Sequence, residues 1–262
     1  MRLAKKRGIK TISLTDHNSV KGVAEAVHEG KKIGVNVIPG VEIRTEQGEV
    51  LGYFIDVKNK ELNRLLRKIQ KRVTKKARIN CGRLNKAGYP INYAELERKF
   101  PKARGNLNEF YPIYLLYTKG YGGRHKSSLK ISKEIKSKIK SYKIEEISVL
   151  EAIKTIRRAG GVPVMAHPWI DDDVLKTKIQ KLVKAGLAGL EINNGDRAPF
   201  RKFSIYKKIK RLAKKHHLVL TSGSDFHGEK LVKIMPGNHD LGKNNCDESV
   251  VLELLKRKVL TN

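Results

Sequence analysis

The sequence predicts an α/β fold in which a mainly parallel sheet or barrel is covered by helices. Three observations predict it. Short β-rich runs alternate with segments of helical period in residues 1–58 and again in residues 148–262. Most of those runs close on turn or capping residues, which commits the chain to a helix before the next run. Between the two alternating parts, residues 59–147 are very basic, helical in pattern and short of β-rich runs, as a helical insertion would be.

The elements follow in order. Met1 to Gly8 is apolar, then basic, then glycine, which is the pattern of a helix tail. A βα domain normally opens on a strand, so a strand is expected before Met1. Lys10–Thr15 is a strand that ends in the turn and N-cap residues Asp16-His17-Asn18-Ser19. Val20, Val23, Ala24 and Val27 place a helix over Val20–Ile33, stopped by Gly34. Val35–Ile38 is a second strand, broken by Pro39-Gly40, and Val41–Val57 is a hairpin turning near Gln47-Gly48.

In the basic stretch, Leu62, Leu65, Leu66 and Ile69 mark one helix, with others over Tyr93–Phe100 and Phe110–Thr118. Tyr121-Gly122-Gly123 and Lys126–Lys143 have loop composition. Alternation then resumes. Helices are expected over Ser148–Ala159, Val174–Ala185 and Phe200–His216, and strands over Val162–Ala166, Ala188–Ile192 and Leu218–Thr221.

Composition narrows the function. The 262 residues are 39% hydrophobic, enough for a large α/β domain with a real core. No apolar run approaches a membrane span and no signal peptide opens the chain, so a cytoplasmic location is expected. Cys81 and Cys246 stand in no metal-type spacing and read as free thiols. The net charge of +30 attracts polyanions, either nucleic acid or a phosphorylated small molecule, although a lysine-rich composition alone would give the same sum. There is no P-loop and no nucleophile-elbow serine.

The candidate chemistry is positional. His17, His167 and the pair Asp225/His227 each fall just after a predicted strand, and Glu42 lies in the strand that begins after Pro39-Gly40. Residues at such ends converge on one face of a parallel barrel. In an extended segment, Asp225 and His227 would point the same way. Each residue alone has an ordinary structural reading; four such positions together suggest a shared site for Zn²⁺, Mn²⁺ or Fe²⁺. Such ions lower the pKa of bound water to about 7 and neutralise phosphate oxygens, so no protein nucleophile is needed. Arg197, after another strand end, is a candidate for binding substrate phosphate or a solvated loop residue.

Four motifs in order resemble a known family. Thr15-Asp16-His17, Pro39-Gly40-Val41-Glu42, the run from Gly160 to Pro168, and Gly223-Ser224-Asp225-Phe226-His227-Gly228 are similar to motifs of the polymerase and histidinol phosphatase (PHP) proteins. The resemblance implies a distorted, seven-stranded βα barrel with a two- or three-metal cluster. It implies hydrolysis of phosphoesters of nucleotides, short oligonucleotides or histidinol phosphate. By carry-over, His17, Glu42, His167, Asp225 and His227 match metal ligands, with His17, Asp225 and His227 also catalytic. The helical insertion is similar to that of the nucleotide phosphatase and exonuclease-like branch.

Three departures stand beside it. The family's first strand ends in His-x-His, which would precede Met1. Where the insertion usually carries Arg-x-His, this chain reads Glu109-Phe110-Tyr111. Where many relatives have histidine before Leu-Gly-Tyr, this chain has Glu49 before Val50-Leu51-Gly52-Tyr53, so Glu49 is either a substitute ligand or a surface charge. If the first motif is truly lost, the alternative is a non-catalytic, basic nucleic-acid-binding protein on a decayed barrel. A different metal hydrolase on a similar barrel, such as an amidohydrolase, is a third reading, weaker because the Asp-Phe-His-Gly ending is not an amidohydrolase pattern. Gly237-Asn238-His239-Asp240 matches a string of calcineurin-like phosphoesterases but lacks that family's upstream motif. Substrate, metal and oligomeric state are not set by the sequence.

Overall fold

The computed structural model describes residues 1–108, 110–121, 146–168, 172–194, 203–229 and 239–258. Arg197 and the Lys126–Lys143 stretch lie outside them. The chain divides into two compact units: residues 1–66, 147–229 and 237–262 form one, and residues 67–146 and 230–236 the other.

The first unit carries six strands, β1 (Thr11–Leu14), β2 (Asn36–Thr45), β3 (Gly48–Tyr53), β4 (Val162–Met165), β5 (Gly189–Asn194) and β6 (Val219–Gly223), ordered β1-β2-β3-β4-β5-β6 in one sheet. β1 and β2 are parallel, β3 is antiparallel to both β2 and β4, and β4, β5 and β6 are parallel. In a flat sheet the outer strands would stand about 24 Å apart, five gaps of roughly 4.8 Å. Yet His17, beyond the end of β1, lies 3.4 Å from His227, beyond the end of β6. The sheet is therefore curled into a half-barrel, and its two edges lean together at one end.

Among the described residues, eight helices sit where the sequence places them, with small shifts, and a ninth, Glu248–Lys256, lies where none is expected. They are α1 (Arg2–Lys6), α2 (Val23–Ile33), α3 (Lys60–Lys86), α4 (Tyr93–Lys99), α5 (Phe110–Thr118), α6 (Val149–Arg158), α7 (Asp172–Lys184), α8 (Phe203–Lys215) and α9 (Glu248–Lys256). α2 starts three residues later than its apolar period suggests and stops where Gly34 turns left-handed, at φ 73°. The Ser148 hydroxyl caps α6 by accepting from the Glu151 N–H at 3.1 Å.

One expectation fails usefully. Pro39-Gly40 does not break a strand; β2 runs straight through it. Up to Pro39 the strand pairs with β1, and from Gly40 it pairs with β3. Proline has no N–H to donate and stands at the changeover of partners, where the ladder loses least. Gly40 fits there because a Cβ would meet the Leu14 carbonyl at 2.9 Å and Ser13 Oγ at 2.5 Å. Glu42 is thus inside a strand rather than at the start of one.

The core of this unit includes Leu51, Val162, Val164, Ala166, Ala188 and Val219, closed by Leu254 of α9. In the second unit, Ala77, Cys81 and Leu84 of α3 pack with Leu96, Leu107, Leu115 and Leu116, ringed by half-buried tyrosines.

Candidate functional site

Register builds the site. β1 and β2 pair with a constant offset, Thr11 with Asn36 through Leu14 with Pro39. Continued three residues past the strand, the same offset sets His17 beside Glu42, where an isolated parallel bridge is found. Two backbone bonds fix the pair: Asn18 N–H donates to the Glu42 carbonyl at 2.7 Å, and Glu42 N–H to the Asp16 carbonyl at 3.2 Å. The Asn18 side chain then accepts from Arg44 N–H at 2.9 Å.

β3 explains Glu49. It runs opposite to β2 and β4, so its first residues lie at the sheet end where β2 and β4 finish; Glu49 stands across from Arg44, and Val50 from Met165. A glutamate at the beginning of a strand thereby joins residues that follow the ends of others. His167, two residues past β4, completes the set, its backbone N–H held by the Glu191 carboxylate at 2.8 Å.

The six side chains named from sequence converge. His17 Nδ1 lies 3.3 Å from a carboxylate oxygen of Glu42 and 3.3 Å from one of Glu49. His167 Nε2 lies 3.3 Å from the other Glu42 oxygen and 3.1 Å from the other Glu49 oxygen. His17 Nε2 faces His227 Nε2 at 3.4 Å. Asp225 Oδ1 is 3.5 Å from His227 Nδ1. Glu42 and His167 are buried, while His17 and His227 keep about a quarter of their side-chain surface open.

Asp225 and His227 do not share an extended segment. Asp225 takes φ 52°, so the chain turns there, and the His227 Nδ1–H donates to the Asp225 carbonyl at 2.7 Å. Asn18 (φ 52°) and His167 (φ 24°) are left-handed as well. Three positive-φ residues at three strand exits are a concentration of backbone strain, of the kind that surrounding structure holds in place at functional sites.

The electrostatics are dominated by burial and opposite charge. Burial disfavours the charged forms of His17 and His167. Against it, Glu42, Glu49 and Asp225 raise His17, and hydrogen bonds and charges from Glu42 and Glu49 push His167 up to about 10. Burial would raise Glu49, but the His167 hydrogen bond and the charges of His17, His167 and Arg44 hold it down at about 2. Burial raises Asp16, with His17 and His227 opposing.

The donor set fits a metal centre. Single ligand atoms of His17, Glu42 and Glu49 all lie within 4.8 Å of one another. Donors bound at about 2.0–2.2 Å to one tetrahedral ion stand roughly 3.3–3.6 Å apart, close to the 3.1–3.3 Å found between the imidazoles and carboxylates. A second observation points the same way. With the His227 proton held on Nδ1, its Nε2 lone pair faces His17 Nε2, an arrangement that calls for a proton or a cation between the rings. Imidazole with carboxylate suits borderline divalent ions.

Sequence reasoning missed two neighbours. Glu191 sits in the apolar run Ala188-Gly189-Leu190-Glu191-Ile192, and a carboxylate inside such a run was the available signal. His239 is fully buried; its Nδ1–H donates to the Ser224 carbonyl at 3.1 Å and lies 3.5 Å from Asp225 Oδ2. Nothing local in the sequence marks that contact.

The chain is similar to known proteins over most of its length. The family model described as PHP domain matches residues 1–195. A phosphoribosyl 1,2-cyclic phosphate 1,2-diphosphodiesterase of Eggerthella lenta is 25% identical over 234 residues, 86% of each chain. A 5'-3' exoribonuclease of Haemophilus influenzae is 29% identical over 241 residues, 84% of this chain and 80% of that one. A Bifidobacterium adolescentis crystal structure, of a protein assigned as a metal-dependent phosphoesterase, superposes with a TM-score of 0.84 at 22% identity, over 98% of this chain and 89% of that one. At that identity the likeness speaks to the fold.

Proposed function

The chain belongs to the PHP domain family, and from that membership we propose that it is a metal-dependent phosphoesterase acting on phosphate esters of nucleotides or short oligonucleotides. One observation carries the reading: His17, Glu42, Glu49, His167, Asp225 and His227, drawn from four separate stretches of chain, meet at one end of the half-barrel. In this reading all six are metal ligands, for two or three Mn²⁺, Zn²⁺ or Fe²⁺ ions. The barrel is formed by residues 1–58 and 148–262, and residues 59–147 are a basic helical insertion. Arg197 is a candidate for the substrate phosphate.

Bound divalent ions would supply a water of pKa about 7 and offset charge on the phosphate oxygens. The residues do the rest. Glu42 and Glu49 share the two histidines His17 and His167, so each carboxylate orients both rings. His17 and His227 turn their Nε2 atoms toward each other at 3.4 Å, with Asp225 beside His227. His239 and the Asp225 carbonyl keep the turn that carries both groups. The named relatives, a cyclic phosphate diphosphodiesterase and an exoribonuclease, cleave phosphoesters of ribose compounds and RNA, which supports this substrate class.

The test is release of phosphate or nucleotide from nucleoside bisphosphates and 5'-phosphorylated dinucleotides, after metal removal and then with Mn²⁺, Zn²⁺ or Fe²⁺ restored. Activity should depend on the ion, and His167→Ala should remove most of it. Hydrolysis that survives both metal removal and His167→Ala would overturn the reading.

A further inference from the structure

α3 carries a charge pattern that stability alone does not explain. From Arg67 to Lys86, nine of 20 residues are Lys or Arg (67, 68, 71, 72, 75, 76, 78, 83, 86) and none is acidic; the whole chain has 56 such cations and 26 acids in 262 residues. At 100° per residue, Arg67, Lys68, Lys71, Lys75, Arg78 and Lys86 fall within an arc of about 100°, opposite the Val73, Ala77 and Leu84 side that is buried. All six are exposed. The row is roughly 28 Å long, 19 steps of 1.5 Å.

An exposed helix face is most cheaply stabilised by acids and bases alternating at i, i+4. Here the i, i+4 pairs 67/71 and 71/75 are like-charged, which destabilises the helix. Lys76 has a carboxylate nearby, Glu146 at 3.7 Å, but it lies off the row. A linear polyanion laid along the row would relieve the repulsion and release its own counterions. Arg78 also stacks over the Tyr93 ring at 4.6 Å, holding one guanidinium in a fixed position.

We propose that the outer face of α3 binds the phosphate backbone of single-stranded RNA. The choice of RNA over other polyanions rests on the nucleotide phosphoesterase reading above. A lysine-rich composition is the competing explanation, and α8 supplies its control: Lys210, Arg211, Lys214 and Lys215 are exposed cations on a shorter helix, equal in number to those to be removed.

The experiment compares two full-length variants, Arg67→Gln/Lys71→Gln/Lys75→Gln/Lys86→Gln on α3 and Lys210→Gln/Arg211→Gln/Lys214→Gln/Lys215→Gln on α8. Binding of a fluorescent 5'-phosphorylated 12-mer oligoadenylate is titrated in EDTA from low to moderate salt, and circular dichroism checks that each variant is folded. The α3 variant should bind at least about tenfold more weakly, with its salt slope reduced by about two to three, near 0.7 per lost phosphate contact. The α8 variant should lose far less. Equal losses in both variants, or no loss in either, would overturn the proposal, as would tighter binding to anionic lipid vesicles than to the RNA. Because binding is read in EDTA and hydrolysis of a nucleoside bisphosphate is read separately, the surface can fail while the phosphoesterase reading stands, and the reverse.

Discussion

Gly40→Ala tests whether the β1–β2 contact sets the site. An added Cβ would lie 2.5 Å from Ser13 Oγ, 2.7 Å from Thr15 Cγ2 and 2.9 Å from the Leu14 carbonyl oxygen. Ser13 cannot simply swing away, because its hydroxyl donates to the Ile38 carbonyl at 3.0 Å. The carbonyl is backbone and moves only with β1. Overpacking of this kind costs about 1–3 kcal/mol; at about 2–4 °C per kcal/mol for a chain of this size, a cost of about 2 kcal/mol lowers Tm by about 4–8 °C. The functional loss should be larger in proportion. His17 and Glu42 are neighbours only because the β1–β2 register continues past Leu14, and misplacing a reacting group by an ångström can cost about a hundredfold in rate. Scanning calorimetry and Mn²⁺-dependent kcat/KM on the same preparation measure both effects. A Tm within about 1 °C of the parent, with an unchanged rate, would refute the argument, since the Cβ would then have found room.

Other outcomes follow from the same structure. Gly82→Ala, at an exposed position of α3 with nothing within 4 Å of the new Cβ, should stabilise by about 0.5–1 kcal/mol; a loss of stability in urea titration would contradict this. Asn18→Ala should cost about 1–3 kcal/mol, because it removes the acceptor for Arg44 N–H and puts alanine at φ 52°, and Asn18→Gly should recover part of it. In metal-free protein, stabilisation from His167, whose pKa rises from 6.5 to about 10, is complete below pH 6.5 and lost as pH climbs through 10. Stabilisation from Glu49, lowered from 4.5 to about 2, is complete above pH 4.5 and lost as pH falls toward 2. Thermal melts in EDTA should therefore peak between about pH 4.5 and 6.5 and fall on either side; a profile still rising at pH 9 would exclude this balance. Metal affinity should instead increase with pH, since the imidazoles must shed protons to bind, and calorimetry in buffers of different ionisation enthalpy would count the protons released.

The fold was legible where a local signal and the tertiary structure agree. Gly34, Ser148 and the apolar spacing of α2, α3 and α6 each place a helix boundary within a few residues. The strand exits carrying His17, His167 and Asp225/His227 were legible because turn residues follow β-rich runs. Pro39-Gly40 misled because local chemistry predicts a break, whereas a strand changing partners needs the same two properties, a missing donor and a missing side chain. Asp225 and His227 were placed in the site but with the wrong backbone, since an aspartate tolerates the left-handed turn without any mark in the sequence. Glu49 remained undecided because its position depends on β3 running antiparallel, a property of the sheet and not of the residue. Glu191 and His239 reach the site only through pairing and packing between stretches far apart in the chain.

The contact between His17 and His227 spans 210 residues. On a ribosome adding about 5–20 residues per second, roughly 10–40 s pass between the appearance of the first ring and the second. Through that interval one edge of the half-barrel waits for the other, so the centre is finished only once His227 has emerged. An ion that ties the two rings together would then act as a late clasp on a very long loop, with a closure entropy of about 5 to 5.5 kcal/mol to withhold from the unfolded chain.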